Sequence, residues 1–306
     1  MKKLIYNGFS QQRTPVLCVF FLAVSLSCFA QEGPLSPEWF YYRKSLEAFR
    51  ADDLGEAMRQ LKTLVEAYGE NADSLHLRGR IYEQEGELDL AEKYYFDSLA
   101  KGDFEVPDEK FTVNYRLANM YYQRKSYKKF EDILEKILSA QPMYTEGRYA
   151  RLRDSYVSTL LERGFDSLAL LYRIPVDFAT ESHRNLGVFY SRTGRDRAAL
   201  LHLAFANLAV VSVLSDELKK IDPDYTFSSL EDTLNRAALH TMLADFIVRA
   251  DFYRSLYFLA SALHSLDAAR EARKIWEIVA KHGSGEWKNQ SRSQLLAPRA
   301  EPLITY

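Results

Sequence analysis

Residues 72–105 read ADSLHLRGRIYEQEGELDLAEKYYFDSLAKGDFE, and this stretch decides the fold. Leu75, Tyr82, Leu88, Tyr95 and Leu99 fall at helical spacing, which predicts two amphipathic helices. Gly86 interrupts the run where the chain has to reverse, and glycine can take the left-handed conformation that ends the first helix. Gly79 and Ala91 lie twelve residues apart on the two helices and let their backbones approach. Tyr82 and Tyr95 fill the volume around that contact.

The same interval recurs along the chain. Ser45 pairs with Ala57, Gly187 with Ala199 and Ala260 with Ala272; Ala118 keeps the spacing, with Phe130 at the second place. From Ser45 to Gly79 is 34 residues, and the later steps (39, 69 and 73) are one or two such units with one or five residues added. Between 143 and 176 and between 225 and 250 the small residues drop out, but Tyr149-Leu152-Tyr156-Leu160 and Leu234-Ala238-Met242-Phe246 keep a helical period. Each stretch leaves room for one degenerate unit, giving about seven antiparallel helix pairs. Ser36-Pro37-Glu38 marks the start of the array, Ser228-x-x-Glu231 is a capping-box candidate, and a long helix runs from near Asp196 to Ile221. Gly285 to Leu295 reads as a polar closing helix, so the helical domain is expected over 38–295 with a tail over 296–306.

The pattern resembles the tetratricopeptide repeat (TPR), a 34-residue helix-turn-helix unit written L-G-x-x-Y, then G, then A, an aromatic and P. The strongest units are 72–105, 111–143, 180–212 and 253–282. Tyr41 and Leu75 stand where the family's early tryptophan falls, and the terminal proline occurs only as Pro142. The resemblance implies an all-α solenoid, wound as a right-handed superhelix, with a C-terminal capping helix. It also implies a concave face, lined by the first helix of each unit, that holds an extended peptide or a partner helix. The positions it directs there include Arg80, Glu83, Tyr115, Asn119, Tyr122, Arg184 and Arg192, a set of guanidinium forks, an amide and aromatic faces suited to peptide contact. Beside them fall His76, Gln84, Gln123, Ser191, Arg254, Tyr257 and His264. For any one of these, a plain solvated helix face is an equal reading. Some relatives clamp a terminal carboxylate with spaced lysines and asparagines; only Asn119 matches here, so that specificity is not carried over.

The leader has a different character. Lys2, Lys3 and Arg13 precede an apolar run, Val16 to Ala30, that ends in small residues; it is shorter than the roughly 20 residues that span a bilayer. Residues 1–30 are therefore expected to be a cleaved export signal, with 31–37 a linker and the periplasm the destination. A retained membrane anchor is the second reading, and lipidation of Cys28 a sharper alternative, although Leu26 sits one place late for a lipobox. The two cysteines, Cys18 and Cys28, both lie in the leader, so the remainder offers no disulfide, thiol nucleophile or cysteine-bound zinc.

The 306 residues carry 40 basic and 42 acidic side chains, a net charge of -2, which argues against a general nucleic-acid binder. Six histidines show no i, i+4 pair, and there is no H-E-x-x-H, phosphate loop or G-x-S-x-G elbow. The expectation is an exported, non-catalytic scaffold without metal or cofactor, binding a protein, a peptide or a second copy of itself. A lipid-anchored accessory subunit of an envelope system and an enzyme built from scattered polar residues are the alternatives.

Overall fold

The computed structural model describes residues 36–301, 303 and 304. The expected signal (1–30), Cys28 and most of the linker lie outside the described residues.

The described residues are helical, with no strand among them. The first three hairpins are α1 (Glu38–Arg50) with α2 (Leu54–Tyr68), α3 (Ala72–Glu85) with α4 (Leu88–Lys101), and α5 (Glu109–Gln123) with α6 (Tyr127–Leu138). A single turn, α7 (Pro142–Thr145), leads through a 3-10 turn into α8 (Ala150–Leu171). Then come α9 (Thr180–Ser191) with α10 (Asp196–Ile221), α11 (Leu230–Ala237) with α12 (Thr241–Arg249), and α13 (Phe252–Ser265) with α14 (Ala269–His282). α15 (Gly285–Leu296) packs on the end as the closing helix.

One register explains the hairpins. The small residue of each first helix is buried at Ser45, Gly79, Ala118, Gly187 and Ala260, and the Ser45 hydroxyl donates to the Ala57 carbonyl at 2.7 Å. Sixteen positions on, Leu61, Tyr95, Leu134, Leu203 and Trp276 are all almost wholly enclosed. A Cβ added to Gly79 would stand 2.6 Å from the Tyr95 ring, and one on Gly187 would stand 2.6 Å from Leu203 Cγ and 3.1 Å from its backbone nitrogen. Leu203 N belongs to a helix and cannot yield. Gly187→Val is thus expected to cost about 1–3 kcal/mol by overpacking. Gly147→Ala, whose Cβ meets nothing within 4 Å, stays within about 0.5 kcal/mol; chemical denaturation of both variants checks the difference.

Successive hairpins share a polar joint. Tyr121 Oη donates to Glu92 at 2.6 Å, where Arg124 also binds, and Tyr190 Oη shares its proton with Glu131 and Glu135 at 3.0 and 2.9 Å, with Arg195 on Glu131. In each case the first helix of one hairpin is tied to the second helix of the hairpin below. The hairpin α9–α10 therefore sits directly on α5–α6, and α13 packs on both α9 and α10.

The two weakly patterned stretches do form helices, but these lie beside the stack. α8 packs on α10 and touches α14; Gly164, at φ 82°, kinks it where the Phe165 amide donates to Glu271 at 2.8 Å. α11 and α12 bridge from α10 to α13, leaving α9–α10 and α13–α14 in direct contact. Five of the helix pairs among the described residues thus form the stack. α10 is apolar and long enough to cross a membrane, yet it is the core: α8, α9, α11 and α13 enclose it.

One boundary shifts. Ser229, not Ser228, caps α11 by accepting from the Asp232 amide at 3.1 Å, because starting at Leu230 turns Leu230, Thr233, Leu234 and Ala237 inward. A full capping box forms elsewhere, between Asn71 and Ser74.

Candidate partner-binding groove

The first helices carry the positions expected to line a groove, and those nearest the N-terminus form a cluster of charged side chains. The Arg80 guanidinium lies over the Phe49 ring at 4.5 Å, and Arg116 donates to Glu83 at 3.1 Å. Glu83 also receives the Tyr95 hydroxyl. His76 is buried, and its Nδ1 meets Glu109 at 3.1 Å. Burial pushes the His76 imidazole down to about 3, aided by the Arg116 and Arg80 cations, so it stays neutral and donates this bond. Burial, with Asp73 nearby, pushes the Tyr42 phenol up to about 12.

The middle positions join residues from different hairpins. Tyr115 Oη donates to the Phe178 carbonyl at 2.6 Å and receives the Ser182 amide at 2.9 Å, so it fixes the start of α9. Arg192 donates to the Tyr122 hydroxyl at 3.0 Å, and Tyr122 packs on Phe130. Asn119 and Gln123 are exposed between them. Arg184 donates to the Ala250 carbonyl at 2.7 Å and pairs with Glu181 at 3.7 Å.

Six of the seven residues that the sequence directs to the groove therefore make interhelical contacts, and Asn119 is the exposed one. A tether does not remove such a residue from a binding surface: a guanidinium held by one nitrogen still presents others. Arg254 is spent on Asp251 and His264 packs on Trp276, so these two act within the fold.

At the C-terminal end of the expected groove positions the chain contacts itself. After α15 the backbone turns back across α13 toward the end of α9. Glu301 accepts from Tyr257 and Gln294 and lies 3.4 Å from the Ser261 hydroxyl. Gln294 also brackets Arg299, donating to its carbonyl at 3.1 Å and accepting its amide at 2.9 Å. The Ile304 amide donates to the Arg192 carbonyl at 2.6 Å, and Leu303 lies over Gly194. This segment contacts two of the positions expected to line the groove, Arg192 and Tyr257. Sequence reading assigns it only as a tail; the signal that could have been followed is the pairing of Glu301 and Leu303 within seven residues of a closing helix.

Among the described residues no group of three or more His, Cys, Asp or Glu is clustered as a metal site would require.

A tetratricopeptide repeat model matches residues 72–95, the first helix and most of the second in the unit that decides the fold. A protein of Treponema pallidum (strain Nichols), described as an uncharacterized protein, is 26% identical over 212 residues, covering 67% of this chain. The chain spans little more than half of that relative's length, 56%. Among solved structures, the TPR2AB-domain:pHSP90-complex of yeast Sti1 aligns over 84% of this chain and 95% of its own, at 17% identity and a TM-score of 0.30.

Proposed function

We propose that this chain, a tetratricopeptide-repeat protein, is an exported, non-catalytic scaffold that holds an extended segment of a protein partner along its first-helix groove. The observation that carries the reading is the occupied end of that groove. Arg299, Glu301 and Ile304 are held through two backbone amides and a carboxylate by Gln294 of α15, Tyr257 of α13 and Arg192 at the end of α9, an arrangement that reads an extended chain rather than a folded surface. The contacts on Glu301 come from neutral donors, Tyr257, Gln294 and Ser261, so an acidic residue two places before a leucine is the pattern the groove accepts. Asn119, Tyr122 and the Arg192 guanidinium continue the surface toward the N-terminus, where a longer partner would run.

A labelled peptide with the sequence of residues 297–306 tests this. Glu301→Arg, made in the full chain, puts a cation among the donors and releases the chain's own segment. The peptide is expected to bind the variant about tenfold or more tightly than it binds the parent, as follows when an intramolecular competitor is removed. Tyr257→Phe added to Glu301→Arg weakens the peptide again. Equal binding to parent and variant, or none to either, overturns the reading.

Export to the periplasm is part of this proposal and rests on the leader. The alternative, a lipid-anchored accessory subunit, rests on Cys28; the mass of the mature N-terminus decides, since an acylated Cys28 means anchorage and an unmodified Gln31 means a soluble protein.

A further inference from the structure

Asn207 lies in the middle of α10, inside the apolar run Ala204-Phe-Ala-Asn-Leu-Ala-Val-Val211, and is wholly buried. Its amide nitrogen donates to the Leu203 carbonyl at 2.8 Å, one turn back, while its oxygen has no partner. Ser255, nearly as buried on α13, has a hydroxyl without a partner, and so does the Nε of Arg184 on α9. Ten buried side-chain polar atoms among the described residues lack a partner, and the residues that carry these three, Asn207, Ser255 and Arg184, all belong to the wall of one cavity of about 270 Å³. Phe246 and Arg249 of α12 close one side, and Val176 and Asp177, just before α9, complete the wall. The helix pair α11–α12, which leaves the stack, thus turns an open face of α9, α10 and α13 into a pocket.

The chemistry of the unmatched atoms is specific. Asn207 Oδ1 accepts only, so the ligand must bring an N–H or O–H. Arg184 Nε donates only, so the ligand must also bring an acceptor, and the guanidinium's charge favours a carboxylate. Ser255 can serve either. Between them Val210, Phe246 and Phe252 supply an apolar wall, and Glu181 adds a carboxylate beside Arg184. The volume lies near the lower end of the range that holds small ligands.

We infer that this pocket binds a free α-amino acid with an apolar side chain: the ammonium toward Asn207 and Glu181, the carboxylate on Arg184 and Ser255, and the side chain against Phe246 and Val210. The pocket contains none of the residues that hold Glu301 and Ile304; it shares Arg184 with the positions expected along the groove, and the inference does not depend on the peptide reading. A buried amide oxygen left unmatched inside an apolar helix destabilises the fold. Its presence at the floor of a cavity is accounted for by a ligand that completes it.

Calorimetric titration of the full chain with L-leucine and with L-phenylalanine tests the inference. At least one of them is expected to bind saturably, and 3-phenylpropionate and phenethylamine, which each lack one charged group of phenylalanine, bind about tenfold or more weakly. Asn207→Leu, close in volume, is expected to abolish binding while raising the melting temperature. That opposed pair of readouts is one a merely structural asparagine would not give. Ser255→Ala, which keeps the fold, lowers affinity without changing selectivity. The inference fails if neither amino acid binds, the cavity then being a water-filled notch, or if the Asn207→Leu protein binds as the parent does.

Discussion

Trp276→Ala is expected to lower the stability of the fold by about 3–5 kcal/mol, one of the two largest single effects in this chain. Trp276 is 1% exposed and occupies the enclosed place sixteen residues after Ala260, the place filled by Tyr95 and Leu203 in earlier hairpins. Alanine there removes the side chain that α13 and α14 close upon and leaves a cavity that rigid helices cannot fill by collapse. Whole domains are stable by only about 5–15 kcal/mol, so the loss takes a large share of the total. Trp39→Ala is the control. Trp39 is 58% exposed, with Arg43 over its ring at 4.9 Å, and its removal is expected to cost about 0.5 kcal/mol or less. Urea midpoints of the two variants separate the cases, and equal losses would mean that the repeat position has no special weight. Because stacked repeats are stabilised by nearest neighbours, the loss is also expected to show first as fraying of α14 and α15 in hydrogen exchange.

Much of this was legible because the repeat is written in small residues. Gly79 and Gly187 have to be glycine where a Cβ would enter Tyr95 or Leu203, and the twelve-residue pairing of Ser45 with Ala57 is a direct hydrogen bond between helices. Such constraints are local, so a sequence displays them. The placement of the helices α8, α11 and α12 is not local. Helical periodicity shows that Tyr156 or Leu234 faces something apolar, but not which element supplies the apolar partner. The joints Tyr121–Glu92 and Tyr190–Glu131 show that α9 takes the place above α6, and the intervening helix has to lie outside. The groove was legible as a set of positions. What each position does was not, since Arg80, Glu83, Tyr115 and Arg184 find partners 30 or more residues away. Asn207 was hidden for the opposite reason: within an apolar helix a lone asparagine carries no pattern at all.

Acid is expected to destabilise this fold well before its carboxylates titrate, because of a histidine pair in the core. His183 and His202 are buried, with their Nδ1 atoms 3.0 Å apart, and His183 Nε2 lies 3.0 Å from the Gln141 carbonyl oxygen. Gln141 in turn donates to Asp177 at 2.7 Å. The network assigns the protons: His202 Nδ1–H donates to His183 Nδ1, and His183 Nε2–H donates to Gln141. A proton added to His183 Nδ1 would destroy the bond and place a charge between Phe205, stacked at 4.4 Å, and Tyr144. Burial pushes His183 well below the usual imidazole range, with His202 adding to it, and pushes His202 down to about 3, with the Arg195 cation adding to it. The native state therefore binds no proton at these sites above about pH 4, while the unfolded chain takes one on each as pH falls through about 6.5. More protons on the unfolded chain mean that stability rises with pH, so it is complete above about pH 7 and declines below 6.5. Each histidine accounts for about 2 kcal/mol between pH 7 and 5, and the pair for about 4. His76, held down to about 3 in the groove, adds a loss of the same sign. Urea unfolding at pH 7, 6 and 5 measures the slope, and His202→Gln, which keeps a polar partner for His183 without titrating, is expected to remove about 2 kcal/mol of it. A stability that is flat from pH 7 to 5, or a His202→Gln slope equal to that of the parent, would show that these imidazoles reach solvent and that the α9–α10 hairpin is not packed around them.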